Sequence, residues 1–144
     1  MNNFEKRLLL FAAIEPGDQF WSDEISRIGA SEVFDRIISG KFYLKISSLS
    51  RISDEIKISD PKRLLAEINS FGADFVTPED NDWPKQLDDL MAPPIGLIIR
   101  GQREVLPLLN NSVAIVGTRN PTTYGIRVAG ELAASACDHE FALS

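Results

Sequence analysis

The stretch Ser112–Asp138, SVAIVGTRNPTTYGIRVAGELAASACD, constrains the fold more than any other part of the chain. A short apolar run, Val113-Ala114-Ile115-Val116, leads directly into Gly117-Thr118-Arg119. A turn containing Pro121 follows, then Tyr124-Gly125 and an alanine-rich, helix-forming run. This order reads as a strand, a glycine turn and a helix, the opening unit of a Rossmann-like parallel sheet. Backbone N–H groups exposed at such a helix start attract phosphate. The chain ends six residues after Asp138, so a sheet that opens here is expected to be truncated.

Length and composition narrow the classes. A chain of 144 residues fits one domain, or a small domain and a piece of another. With 44% hydrophobic and 25% charged residues it reads as globular, neither disordered nor collagen-like. No apolar run approaches the ~18–20 residues that span a bilayer. The N-terminal apolar run Leu8–Ile14 is bracketed by Glu5 and Glu15, which marks a helix rather than a signal peptide. One cysteine, Cys137, excludes an intramolecular disulfide and argues against a cysteine-based metal site. These features point to the cytoplasm and away from membranes. The net charge of −6 argues against a broad nucleic-acid-binding surface but not against a local phosphate pocket.

Residues 1–72 read as a bundle of short helices. Phe4, Leu8 and Phe11 recur at helical spacing, and Glu15–Asp18 ends that helix. Ser22 is expected to cap a second helix stopped by Gly29. Ser31 is expected to cap a third, Glu32–Ser39, with Val33, Phe34, Ile37 and Ile38 on its apolar face and Gly40 closing it. Asp60-Pro61 opens a fourth, in which Leu64, Leu65, Ile68 and Phe71 share a side. The serine-rich segment Ser47–Lys57 has no clear assignment from pattern. After Gly72 the character changes: a strand at Ala73–Thr77, a turn at Pro78–Trp83, and a short helix at Pro84–Met91. A strand at Gly96–Arg100, a turn or helix near Glu104–Leu109 and a strand at Ser112–Val116 follow. A helix over Tyr124–Asp138 then leads to a parallel strand beginning near Glu140–Leu143. The expected division is a helical domain, 1–72, and the first part of a Rossmann-like domain, 73–144. An open-edged strand at Val113–Val116 leads to the expectation that about 105–144 is partly disordered, self-associated or ordered by a partner.

The turn Gly117–Gly125 is the only chemical signal of weight. Gly117 lets backbone approach a ligand with no Cβ in the way. Thr118 offers a hydroxyl, and Arg119 a planar fork suited to phosphate. Thr122 and Thr123 can cap the helix or meet an anion, and Tyr124 can stack on a base. A plain βα turn with a surface arginine is the other reading. The turn matches neither GxGxxG nor GxxxxGK[ST]. His139 lacks a catalytic partner in any motif and reads as a helix-end residue. Cys137 reads as a small apolar residue under the sheet. The acidic run Glu79–Asp82 reads as a solvated turn capping the next helix, Asp88 and Asp89 as an exposed face, and Trp21 and Trp83 as core anchors. No metal, cofactor or catalytic group is implied.

Two segments together carry a family resemblance. TPEDNDWPKQLDDLMAPPIGLIIRG (77–101) followed by VAIVGTRNPTTYG (113–125) resembles the DNA-processing protein A family, DprA or Smf. The family pattern is roughly TPxDxxYPxxLxxxxxPPxxLxxxG, an apolar strand, then VG[ST]RxxTxYG. Trp83 stands in place of the common tyrosine and Thr118 in place of the common serine. The resemblance implies an α/β protein: a small N-terminal helical bundle of the SAM or helix-hairpin-helix kind, then an extended Rossmann-like domain. It implies single-stranded DNA as ligand, RecA recombinase as partner, a homodimer, a role in natural transformation, and no enzymatic chemistry. Gly117, Thr118, Arg119, Thr123, Tyr124 and Gly125 are the DNA-binding residues that it marks. The rest of the pocket, the SGxAxGID-type turn that Leu143-Ser144 begin, and any winged-helix domain are expected beyond Ser144.

Two other functions stay open. One is a nucleotide-processing enzyme like the lysine-decarboxylase-like phosphoribohydrolases, whose sheet also opens on a strand and a G-S-x turn. A PGGxGT motif after Ser144 in the parent gene would mark it. The other is a pure interaction module built on residues 1–72.

Overall fold

The computed structural model of the chain describes residues 1–42, 47–139 and 141–143. They form a mixed α/β structure with two compact units, Met1–Arg103 and Glu104–Ser144.

In the first unit, α1 (Asn3–Ala13) begins with a reciprocal cap. The Asn2 side chain accepts the Glu5 N–H at 2.8 Å, and the Glu5 carboxylate accepts the Asn2 N–H at 3.0 Å. This satisfies backbone donors that a helix start otherwise leaves free. α2 (Gln19–Ile28) starts earlier than its sequence suggests, because Asp18 supplies the cap and accepts the Trp21 N–H. Ser22 is not that cap. It is buried inside α2, and its hydroxyl donates to the Pro93 carbonyl at 2.8 Å. Gly29 (φ 84°) separates α2 from α3 (Ala30–Ser39). Ser31 likewise is not a cap; it lies in the first turn of α3, where its hydroxyl accepts from the Lys6 ammonium at 2.9 Å.

α3 closes on left-handed Gly40, as the pattern indicates. α4 (Leu49–Ile58) takes up most of the serine-rich segment that pattern leaves unassigned. α5 (Pro61–Ser70) has the expected Asp60 cap, accepting the Lys62 N–H at 2.9 Å, and the proline at its first position.

The core of this unit joins Leu9, Leu10, Ala13 and Ile14 to Trp21, Ile25, Val33, Phe34, Ile37, Ile52 and Ile56. Trp21 is wholly buried and meets Phe20 and Phe42 edge-on, with ring centroids 5.1 and 5.3 Å away. Ile38 departs from the expected face and stays partly in solvent. α5 has no buried residue, and Phe71 at its end is exposed.

β1 (Ala73–Val76) and β2 (Leu97–Arg100) pair antiparallel, with Ala73 opposite Arg100 and Val76 opposite Leu97. Phe75 pins this hairpin to α1, its ring lying 5.5 Å from that of Phe4 and 5.1 Å from that of Phe11. The long connection between the strands is held from several sides. Thr77 donates through its N–H and hydroxyl to Asp80, at 2.7 and 2.9 Å. Trp83 is buried and its indole N–H donates to Asp88 at 2.9 Å. The buried Arg7 of α1 donates to the Ile95 carbonyl at 2.9 Å and pairs with Glu79. A Cβ on Gly96 would sit 2.5 Å from the Phe75 ring and 3.1 Å from the Val76 carbonyl oxygen.

The acidic run 79–82 is a turn with Glu79 exposed, as expected, but it is not a helix cap, and its carboxylates find partners within the chain. Glu79 meets Arg7, Asp80 folds back on Thr77, and Asp82 takes a two-point pair with Arg103 that includes a contact of 2.8 Å. The following 3-10 turn, Lys85–Asp89, has no side-chain cap. Cations remote in sequence claim these carboxylates, and local pattern cannot reveal them. Asp88 is likewise an acceptor for Trp83 rather than simply an exposed face.

A 3-10 helix over Arg103–Asn111, all but its first residue in the second unit, leads into β3 (Ser112–Val113). α6 (Thr123–Asp138) follows, and then β4 (Ala142–Leu143). β3 and β4 pair in parallel, Ser112 with Ala142 and Val113 with Leu143. This is the β–α–β order expected from sequence, but the ladder ends at Val113 rather than Val116. Among the described residues only two positions of β4 face it, so Val116 lies 89% exposed. No residue of α6 is buried. Cys137, expected under a sheet, is exposed for the same reason: nothing among the described residues covers it.

Two outcomes follow from the connection. Gly96→Ala forces the buried Phe75 ring to move and is expected to cost about 1–3 kcal/mol in denaturant unfolding. Arg103 holds the Asp82 carboxyl below its ordinary range, chiefly by hydrogen bonding. That pair adds stability above the unfolded value near 3.9 and loses it as pH falls through the lowered folded value. Asp82→Asn should be less stable at pH 7 by up to about 1 kcal/mol. It should also lose less stability than the parent on acidification below about pH 4, read from denaturant midpoints across pH.

Candidate nucleic-acid interface

The turn Gly117–Gly125 joins β3 to α6. Its local fold comes from two hydroxyl groups. Thr118 Oγ1 accepts the Asn120 N–H at 3.3 Å, which tightens the first half. Thr122 Oγ1 accepts the Gly125 N–H at 3.1 Å and caps α6. Pro121 precedes this cap, where a fixed φ favours extended backbone. Thr122 thus takes the capping role, and Thr123 becomes the first residue of α6 with Tyr124 second and Gly125 third.

Gly117 has no internal reason to be glycine. Its φ lies outside the left-handed region, and a Cβ built there would meet nothing within 4 Å. Gly125 would place a Cβ 3.5 Å from Thr122 Oγ1, an ordinary contact. The backbone at Gly117 is open to an incoming group in a way that the turn's own packing does not require.

Arg119 is exposed, and among the described residues it has no hydrogen-bond or ion-pair partner. The structure groups Thr118 with Asn120 and Thr122 with Gly125, but gives no direct contact between Arg119 and Tyr124. Tyr124 is 66% exposed. Sequence reading passed over Arg127, whose guanidinium carbon lies 5.5 Å from the Tyr124 ring centroid. The available signal was spacing, because residues three apart on a helix are neighbours.

The electrostatics of this stretch differ from those of the whole chain. The net charge is −6 with 21 acidic residues, yet none of them lies between 105 and 130, where Arg119 and Arg127 are the only charged side chains. His139 caps the far end of α6, its Nδ1 2.8 Å from the Ser135 carbonyl oxygen. Among the described residues no group of three or more His, Cys, Asp or Glu side chains could hold a metal ion. No helix there is long and apolar enough to cross a membrane.

Comparisons with known proteins point the same way as the motifs. The family described as DNA recombination-mediator protein A matches residues 74–143. The DNA processing protein DprA of Bacillus subtilis (strain 168) is 32% identical over 88 residues, covering 60% of this chain and 29% of that protein. The chain thus spans under a third of the length of this curated relative. No solved structure matches it. Through residues 74–143, which run from β1 to the last described strand, the chain is similar to the DNA recombination-mediator protein A (DprA) family.

Proposed function

We propose that this protein binds single-stranded DNA through its phosphates at the Gly117–Gly125 turn, as a non-enzymatic DNA-processing protein of recombination. The observation that carries this reading is the pairing of an unobstructed glycine, Gly117, with an arginine, Arg119, that has no partner among the described residues, in a stretch free of acids. A phosphate oxygen can approach the backbone at Gly117 and receive the Thr118 hydroxyl. The Arg119 guanidinium can then meet two oxygens at once. The Thr123 hydroxyl and the backbone start of α6 lie next in the chain, and an N-terminal helix end favours anions. The Gly125 N–H, donated to Thr122 Oγ1, holds the cap. Such contacts read no sequence and depend on salt.

The names of the family and of the Bacillus relative supply the DNA-processing and recombination context. The motif resemblance extends the reading. Residues 1–72 are the family's N-terminal helical domain, and 73–144 belong to its Rossmann-like DNA-binding domain. The protein acts in the cytoplasm, as a homodimer, protecting incoming DNA and passing it to RecA in natural transformation.

The test is a titration of the chain with fluorescein-labelled oligo-dT and a mixed-sequence strand across a salt series. Arg119→Ala should weaken both complexes alike and reduce the salt slope by about one. Unchanged binding at low and high salt would remove Arg119 from the site. Gly117→Ala should leave unfolding stability unchanged or raised by up to about 1 kcal/mol, since it only restricts the unfolded chain. It should still weaken DNA binding, and full affinity in that variant would show that nothing approaches the backbone there.

A further inference from the structure

We infer that Tyr124 is a base-stacking platform and that Arg127 is the residue that holds it in place; this rests on the single-stranded-DNA reading of the neighbouring turn. The two side chains sit three residues apart in the first half of α6, with the Arg127 guanidinium over the Tyr124 ring at 5.5 Å. Tyr124 nevertheless remains 66% exposed, on a helix none of whose residues is buried. A solvated aromatic ring is normally free to swing between rotamers. Here the guanidinium is tethered on two sides, by the ring and by Glu131, whose carboxylate lies 3.7 Å from Arg127 Nε. The ring is braced by a cation while most of its surface stays available.

That arrangement suits a nucleobase. A base stacks on an aromatic ring regardless of sequence, and the guanidinium behind the ring adds a cation–π contribution. Arg127 lies between the Tyr124 ring and Glu131, so the part assigned to it is bracing the ring rather than meeting another phosphate. Arg119 and Tyr124 then divide the work between strand backbone and base. The ligand class sharpens to a strand with unpaired, accessible bases, because duplex DNA keeps its base faces stacked.

The experiment compares fluorescein-labelled oligo-dT with an abasic strand of the same length, across one salt series, on the whole chain. The parent should bind oligo-dT about tenfold tighter, the scale of one stacked base. Tyr124→Ala should abolish that preference and leave binding to the abasic strand unchanged, and Tyr124→Phe should restore it. Arg127→Lys keeps the charge but loses the planar fork; it should reduce the preference several-fold with the salt slope unchanged. Equal binding of both strands by the parent would overturn the stacking proposal and leave the phosphate reading standing. A salt slope that falls in Arg127→Lys, or a preference that survives Tyr124→Ala, would also overturn it. If the parent binds neither strand, the phosphate reading fails and this inference falls with it.

Discussion

The first unit depends on a charge placed where charge is costly. Arg7 sits on the inner side of α1, 6% exposed, among leucines. A guanidinium there is tolerable only if its donors are taken. One goes to the Ile95 carbonyl and another to Glu79, at opposite ends of the connection between β1 and β2. Arg7 therefore fixes where that connection begins and ends. Ser22 of α2 adds a second fastening at Pro93, and Phe75 a third through the aromatic rings of α1. The TPEDNDWP…PP segment becomes intelligible as chain that must lie flat against a helical bundle. Its prolines cost no N–H, Trp83 fills the space beneath, and Gly96 yields to the Phe75 ring.

The helices and their ends were legible because their signals are local. Asp60-Pro61, Gly29 and Gly40 act through backbone geometry that any neighbouring sequence would show. What stayed hidden was every partner more than a few residues away. Ser22 and Ser31 have the chemistry of caps, but Pro93 and Lys6 claim their hydroxyls. The acids of 79–82 read as a plain turn until Arg7 and Arg103 are brought to them. Cys137 erred in the other direction: an alanine-rich helix suggests a packed face, whereas α6 buries nothing. The candidate site divides the same way. Gly117 and Arg119 are visible in the motif, but the lack of any internal need for that glycine is not. Nor is the Arg127 brace, which needs the helix to exist before it can be seen.

The same contrast separates the two motif segments by role. The first is committed largely to internal fastening, with Thr77, Glu79, Asp80, Asp82, Trp83 and Asp88 bonded to the chain's own groups. The second leaves a guanidinium, a ring and an open backbone unspent. A family signature that spans both is thus part scaffold and part surface. Substitutions in the first part should read out as stability and those in the second as binding.

On the proposed reading, the distribution of charge also bears on how a DNA strand would reach the turn. At the ionic strength of a cell, fields fade over about 8 Å, so a polyanion feels the acid-free stretch only once it is close. Farther out, in dilute salt, it feels the net charge of −6 that these 144 residues carry. Salt would then ease the long-range approach while weakening the final contacts. Association rate and equilibrium affinity need not move together with ionic strength, unlike in a uniformly basic binder, where attraction governs both.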